Sequence, residues 1–245
     1  MDRRLQQEKR SDEELKSCFN SLLNYIPDDQ ILKNLGLFQD RISIGDILFI
    51  FELYKKQQNV HGVIAEFGVR WGKNLSLLIA LRGILEPHNH TRKILGFDTF
   101  NGLTGTSSLD GKDSRVNSGE FSTGKEYAPI LKKILNAQEQ KCPIPQIKKN
   151  QIIIGDVRNT LDKYLEAHPE TIFSMIYFDM DIYAPTKYVL EKVKPHICKG
   201  TIIGFDEACN EKFPGETIAI LEQLDLSQYS LKHLPYSANG SYIKV

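Results

Sequence analysis

Cysteine is sparse in this chain of 245 residues. Cys18, Cys142, Cys198 and Cys209 are scattered, with no C-x-x-C pair among them. That spacing argues against a cysteine zinc site and against a disulfide framework, and reads as reduced thiols in a cytoplasmic protein. An excess of charge of one sign is also missing. Lys plus Arg and Asp plus Glu each number 31, a formal net charge of zero, so no general basic field draws nucleic acid or an anionic membrane surface. No apolar run approaches the ~20 residues of a membrane-spanning helix, and "MDRRLQQEKRSDEE" lacks the apolar core of a secretory leader. No internal repeat is visible. The expected partners are therefore small molecules, with neither nucleic acid nor membrane among them.

What is present suits a soluble globular protein. Hydrophobic residues make up 41% and charged residues 25%, enough for one large domain, or one domain with an appendage. Residues 1–10 are polar and expected to be mobile. "SDEELKSCFNSLLNYI" then reads as a helix with Ser11 and Glu14 as a capping box, an apolar stripe of Leu15, Phe19, Leu22, Leu23 and Ile26, and Pro27 as its end. A second helix is expected from about Ser43 to Gln58, with Ile47, Ile50, Phe51 and Tyr54 on one face. Residues 1–58 thus form a helical extension, placed to cover an acceptor or to make a dimer contact.

From residue 59 to 245 the pattern changes. Continuous apolar runs, "GVIAEF", "KILGFD", "QIIIGD", "FSMIYFD" and "GTIIGFD", alternate with helical stretches at about 72–86, 125–140, 158–167, 184–196 and 214–224. Such alternation indicates an α/β fold, a parallel sheet with helices on both faces. "YSLKHLPY" and "GSYIKV", separated by "SANG", read as a closing hairpin. The polar stretch 101–124 follows the second strand, at the sheet edge where ligands sit in open α/β folds. It reads either as a lid or as a disordered insertion.

The strand ends carry the chemistry. Glu66-Phe-Gly68-Val69-Arg-Trp-Gly72 ends the first strand in a glycine turn before a helix. Glycine lets the backbone turn tightly and approach a ligand. The third glycine of G-x-G-x-x-G is absent, which weakens a dinucleotide reading, and an acid before the turn suits a cationic ligand better than a phosphate. Asp98, ending the second strand, can accept ribose hydroxyls or staple a turn. Gly155-Asp156 follows the third strand, and Asp156 fits either an adenine pocket or a helix cap. Asp179 and Asp181 lie two apart at the fourth strand end, so both face one side if the strand persists. Asp206 and Glu207 end the fifth. Neighbouring parallel strands lie about 4.8 Å apart, so Asp179 and Asp206 can share one ion, with Glu207 joining if the chain turns. Oxygen ligands without His or Cys select Mg²⁺, Ca²⁺ or Mn²⁺ over zinc. The competing reading is separate solvated acids. His233, Trp71, Tyr183, Lys73 and Arg70 are weaker candidates, the last two for an anionic group.

"AEFGVRWGKN", "GFDTFNGL", "GDVRNTL", "YFDMDIYAPTKYVLEKVKPHICKGTIIGFDE" and "FPGE" together resemble the macrocin O-methyltransferase family over about residues 60–225. The family methylates sugar hydroxyls in macrolide and aminocoumarin antibiotics. The resemblance implies a class I methyltransferase, Rossmann-like, with a seven-stranded sheet whose last strand is antiparallel. It also implies S-adenosylmethionine and Mg²⁺ as cofactors, a sugar-containing acceptor and a homodimer. Carried over residue by residue, Glu66, Gly68, Val69 and Gly72 line the methionine end of the cofactor, Asp98 and Thr99 take the ribose, and Gly155 and Asp156 lie near adenine. Asp179, Asp206 and Glu207 hold Mg²⁺. Asp181 matches the general base, with Asp179 beside it in both the catalytic and the cofactor sets. Two departures stand out: Lys73 where the family often has glycine, and Glu207 where it usually has aspartate. Two rivals remain, an oxidoreductase binding NAD at the same turn and a non-catalytic sugar-binding protein. A cofactor titration separates the first, and acceptor binding without S-adenosylmethionine would mark the second.

Overall fold

A computed structural model describes residues 6–237 and 239–245. Residues 1–5, part of the stretch expected to be mobile, and Ala238, in the expected "SANG" turn, lie outside the described residues. Residues 1–45 and residues 46–245 form two compact units.

In the first unit, α1 runs Gln6–Leu22. The expected cap at Ser11 is a correction: Gln6 to Arg10 already belong to the helix, because Gln, Glu, Lys and Arg are strong helix formers and override a mid-helix serine. The helix also stops at Leu22, ahead of Pro27, which instead precedes a single turn, α2 (Asp28–Ile31). Phe19 meets Phe38 edge-on, with ring centroids 5.1 Å apart. Helix α3 (Arg41–Gln57) opens two residues earlier than its pattern suggests. Asp40 acts as its cap, accepting from Ser43 N–H at 2.7 Å.

The second unit holds a seven-stranded sheet in the order β3-β2-β1-β4-β5-β7-β6. Its parallel strands are β1 (Val63–Phe67), β2 (Ile94–Asp98), β3 (Asn150–Ile154), β4 (Phe173–Phe178) and β5 (Ile197–Phe205). β7 (Ser241–Lys244) runs antiparallel to β5 and to the two-residue β6 (Lys232–His233). The connecting helices are α4 (Lys73–Leu85), α5 (Tyr127–Glu139), α6 (Val157–Ala167), α7 (Tyr183–Val193) and α8 (Pro214–Gln223). The α/β fold with an antiparallel end strand is the one the strand pattern and the resemblance imply.

The period-2 alternation of the buried strands sends side chains into two separate cores. Ile64, Met175 and Ile202 pack against α3, α4 and α5 through Phe49, Leu53, Leu78 and Leu131. Ala65, Phe67, Ile176, Phe178 and Phe205 pack against α6, α7 and α8 through Leu161, Val189 and Ile220. On α3 the inward face is Phe49, Ile50, Leu53 and Tyr54, while Ile47 and Phe51 are only half-buried.

One ion cluster fastens α4 and α5 to β3. Arg82 is 1% exposed. It donates to the carbonyls of Arg92 (3.2 Å) and Lys149 (2.8 Å) and to both oxygens of Glu139 (2.5 and 2.6 Å). Glu139 also accepts from Asn150 at 2.8 Å and pairs with Lys149 at 3.0 Å. Removing one partner of a buried ion pair leaves an uncompensated charge and costs ~3 kcal/mol or more. Arg82→Met is expected to lower stability by about that much, read from denaturant unfolding monitored by circular dichroism.

Candidate active site

The sheet presents its strand ends at one edge, and backbone hydrogen bonds continue past them. Gly68 N–H donates to Phe97 O (2.9 Å), Asp179 N–H to Phe67 O (2.8 Å), Asp206 N–H to Phe178 O (3.0 Å) and Gly155 N–H to Asp98 O (2.9 Å). The residues just beyond β1, β4, β5 and β3 are thereby tied into the ladder of the strands. Gly68 has φ +91°, and a methyl group there would overlap the Asp179 carbonyl, so the β1 turn lies against the β4 turn at a distance only glycine permits.

Asp98 fixes that turn. Its Oδ2 accepts from Val69 N–H (2.6 Å) and Arg70 N–H (2.7 Å), and its Oδ1 from Phe100 N–H (2.6 Å). Arg70 and Phe100 both have positive φ, +49° and +57°, an uncommon conformation that these bonds hold in place. A carboxylate offers about four lone-pair positions, so roughly one remains for a ligand hydroxyl.

A cavity of about 340 Å³ opens at this edge. It is lined by Gly68, Asp98, Thr99, Gly155, Asp156, Asp179, Asp181, Asp206 and Glu207, among others. A second, of about 240 Å³, adjoins it and shares Arg70, Asp179 and Asp206, with Val69, Lys73 and Asn74 in its wall. Glu66 and Gly72 line neither. Glu66 is 1% exposed and lies behind Asn74, which donates to its Oε1 at 2.9 Å. Its Oε2 is buried without a partner among the described residues. Burial foremost pushes the Glu66 carboxyl up to about 8, with Asp98 and Asp206 adding to the rise against the Asn74 hydrogen bond.

The acids of β4 and β5 face one another. Loss of water first, and then Asp206 and Asp181, hold the Asp179 carboxyl well above the usual range. Asp181 is raised to about 6 by desolvation and Asp206, against the pull of Arg70 and Arg115. Desolvation and Asp206 raise Glu207 to about 7. None of Asp179, Asp181, Asp206 or Glu207 is hydrogen-bonded to Lys or Arg among the described residues. Tyr177 O–H donates to Asp206 at 2.7 Å, and Asn210 donates to Glu207. The expectation that Asp179 and Asp181 share a strand face is corrected: β4 ends at Phe178, and Asp181 sits in the left-handed region at φ +63°. A turn, not strand pleating, brings both to the cavity.

Among the described residues, no three His, Cys, Asp or Glu side chains are grouped so that they could hold a metal ion. The donors present are nonetheless all hard oxygens, desolvated and mutually repelling, with no hydrogen-bonded cation to balance them. That chemistry fits an ion such as Mg²⁺, whose shell keeps several waters or substrate oxygens.

Segment 101–124 is ordered, and Leu103, Thr104, Arg115 and Phe121 help line the larger cavity. It is pinned through Asp110, which is fully buried. Asp110 accepts from Tyr183 N–H at the start of α7 (2.5 Å) and from Ser107 N–H (2.6 Å) and Oγ (3.0 Å). Gly215 at the start of α8 leaves room for it, since a methyl group there would strike its Oδ1. Sequence reasoning passed over Asp110, although Ser107-x-x-Asp110 is itself a capping-box pattern. It also passed over Glu216, buried in the quoted "FPGE", whose Oε1 accepts from Glu207 N–H at 2.9 Å. Of the weaker candidates, His233 lines neither cavity and meets Gly240 O at 3.2 Å. Tyr183 binds Glu222 through its hydroxyl, Trp71 packs edge-on to Tyr127, and Lys73 pairs with Asp46 at 2.8 Å. Asp156 caps α6, accepting from Arg158 N–H at 2.9 Å, while also lining the cavity.

Among solved structures, the chain is similar to the calicheamicin methyltransferase CalS11, at 36% identity over 99% of this chain and 94% of that one, TM-score 0.95. It is similar also to the apo structure of CalS11, described as a TDP-rhamnose 3'-O-methyltransferase of calicheamicin biosynthesis (35% identity, 100% and 96% covered, TM-score 0.86). The O-methyltransferase NovP shares the fold at 16% identity over 83% of this chain and 80% of that one, with TM-score 0.63. No protein-family model and no curated protein matches the chain.

The Asp110 anchor has a measurable consequence. Removing a buried acceptor from bonded N–H groups costs ~2 kcal/mol, about a 30-fold shift in a local opening equilibrium. Asp110→Ala is expected to raise amide hydrogen exchange across 101–124 by about that factor while strands β1 and β4 keep their protection.

Proposed function

The chain belongs to the class I S-adenosylmethionine-dependent sugar O-methyltransferases, and on that premise we propose that it methylates a hydroxyl of a sugar or glycosylated small molecule with Mg²⁺ as second cofactor. The observation that carries this reading is the grouping of Asp179, Asp181, Asp206 and Glu207 in one cavity with the Gly68 turn. CalS11 acts on TDP-rhamnose at the 3' position, which makes a nucleotide-linked sugar the first acceptor to try.

When bound, the two cofactors supply a methyl group on a sulfonium and a Lewis acid that acidifies and orients a hydroxyl. The chain's own residues do the rest. Gly68 keeps its own position in the cavity wall free of a side chain, while at Gly72 a methyl group would strike Leu131. The unpartnered Oε2 of Glu66 lies behind Asn74, and a cationic methionine end bound near it would favour the ionised carboxylate against the burial that raises its pKa. Asp98 has one lone-pair position left for the ribose, with Thr99 beside it and Gly155 and Asp156 toward adenine. Asp179, Asp206 and Glu207 are the residues that would hold the ion, Glu207 being positioned by Glu216 through its N–H. Asp181 takes the proton from the acceptor hydroxyl as that oxygen gains the methyl group. A carboxylate is a weak base for a free alcohol, so its contribution depends on the hydroxyl being acidified and aligned.

The NAD alternative loses ground at the same turn, where a buried carboxylate and Asp98 occupy the place of a phosphate cradle. We assign residues 1–58 as the helical extension that covers the acceptor or joins two subunits, and 59–245 as the catalytic domain. What supports a homodimer is the set of exposed apolar side chains in residues 1–45, including Tyr25, Leu32, Leu37 and Ile42. Light scattering on the purified protein is expected to return about twice the chain mass.

Methyl transfer is expected to vanish with EDTA and return with Mg²⁺. Asp181→Asn is expected to keep S-adenosylhomocysteine binding in calorimetry while turnover falls at least about 100-fold. Full turnover in that variant would remove Asp181 as the base.

A further inference from the structure

The larger cavity is lined by two guanidinium groups, Arg70 and Arg115, that make no hydrogen bond to the acids of β4 and β5 among the described residues. Arg70 is exposed on the β1 turn, and its guanidinium lies 4.8 Å from the centroid of the Phe121 ring. Arg115, from segment 101–124, lies 4.8 Å over the ring of Phe213, just before α8. The two rings are themselves 6.5 Å apart. All four side chains line the cavity, so the sequence Arg70, Phe121, Phe213, Arg115 spans its rim from the β1 turn to the entry of α8. Stacking holds a guanidinium's plane while leaving its N–H edge free to donate.

Each still has N–H groups to offer. Arg70 has no side-chain hydrogen bond or ion pair among the described residues. Arg115 uses Nε and Nη2 on Asp113, at 2.9 and 3.2 Å, which leaves Nη1. Both cations act on Asp181 through space without bonding to it. Had their task been to neutralise the acids, direct bonds to Asp181 or Glu207 would serve better. Instead they are held apart from the acids on aromatic faces, where they offset the repulsion that an anionic molecule meets above a floor of carboxylates.

We propose that Arg70 and Arg115 form a clamp for the diphosphate of a nucleoside diphosphate sugar whose hydroxyl is delivered to Asp181. This rests on the methyltransferase reading and names its acceptor class. The open fork of Arg70 and the free Nη1 of Arg115, on separate elements, suit an extended anion with several oxygens. A single carboxylate would be satisfied by one arginine in bidentate contact. The clamp also gives segment 101–124 a role in selectivity, since Arg115 and Phe121 both come from it.

The test is calorimetric titration of the full chain, saturated with S-adenosylhomocysteine, in EDTA so that no metal can bridge the phosphates. The probes are thymidine diphosphate, thymidine and glucuronate. The diphosphate is expected to bind at least about 10-fold more tightly than thymidine or glucuronate, and the preference is expected to shrink as salt rises. Arg70→Gln and Arg115→Gln are each expected to weaken the diphosphate about 10-fold while S-adenosylhomocysteine affinity holds. Equal affinity for diphosphate and thymidine, equal affinity for diphosphate and glucuronate, or diphosphate affinity untouched in both variants overturns the clamp. If a variant loses S-adenosylhomocysteine as well, the salt series on the unaltered chain decides, and a preference independent of salt overturns it. Failure of the unaltered chain to bind S-adenosylhomocysteine refutes the methyltransferase reading instead.

Discussion

Repulsion among carboxylates at one sheet edge is the constraint around which the site is built. Asp179, Asp181, Asp206 and Glu207 are partly stripped of water, lie near one another, and have no hydrogen-bonded cation among the described residues. Such a group opposes folding unless the frame around it is rigid. The frame here is the parallel ladder of β1, β4 and β5, which continues one hydrogen bond beyond the strands to Asp179 and Asp206. Tyr177 and Glu216 then hold the β5 end from either side, one through the Asp206 carboxylate and the other through the Glu207 N–H. A bound cation that relieved the repulsion would stabilise the folded chain by mass action, so the proposed catalytic role of these side chains and the stability of the fold would be linked.

The parallel strands and the helices between them were legible because buried parallel strands are continuous apolar runs, and "VIAEF", "ILGFD" and "FSMIYF" can be little else; the order in which they pair was not. The acids closing those runs were legible for the same reason, since a strand end fixes where the next residue stands. Asp179 and Asp206 are in place because their neighbours are strands. Asp181 reaches the cavity by a left-handed turn that no periodicity encodes. Ser11 misled because a capping-box pattern is local while Gln6 to Arg10 extend the helix past it. The same pattern at Ser107 and Asp110 marks a real cap, and its consequence depends on Tyr183, 73 residues away in sequence.

Asp98 shows how one residue serves two readings. As a turn staple it holds Val69, Arg70 and Phe100 in place through three short bonds. As a proposed ribose partner it uses what remains of its acceptor capacity. These roles support each other, because a carboxylate fixed by three backbone donors cannot swing to meet a ligand and so presents its last position in one direction. The turn it fixes also sets the direction from which Arg70 leaves the backbone. One aspartate thereby joins the geometry of the cofactor side to that of the rim.

The departure at Lys73 follows from the same economy of charge. A glycine there would remove the cation that pairs with Asp46 of α3 and offsets its effect on Asp206, which lines the same smaller cavity. In this chain Lys73 takes Asp46 at 2.8 Å, and it pulls against the rise that Asp46 causes in the Asp206 carboxyl. The pair is about half exposed, with side-chain exposures of 55% and 45%, so its own contribution to stability is small. Its effect is on the shared wall. Asp179, Asp206 and Arg70 border both cavities, and a transfer between two bound molecules needs one place where both can reach. Keeping Asp46 paired confines the unbalanced negative charge to that wall and to the acids beyond it, where the proposed ion and acceptor would meet.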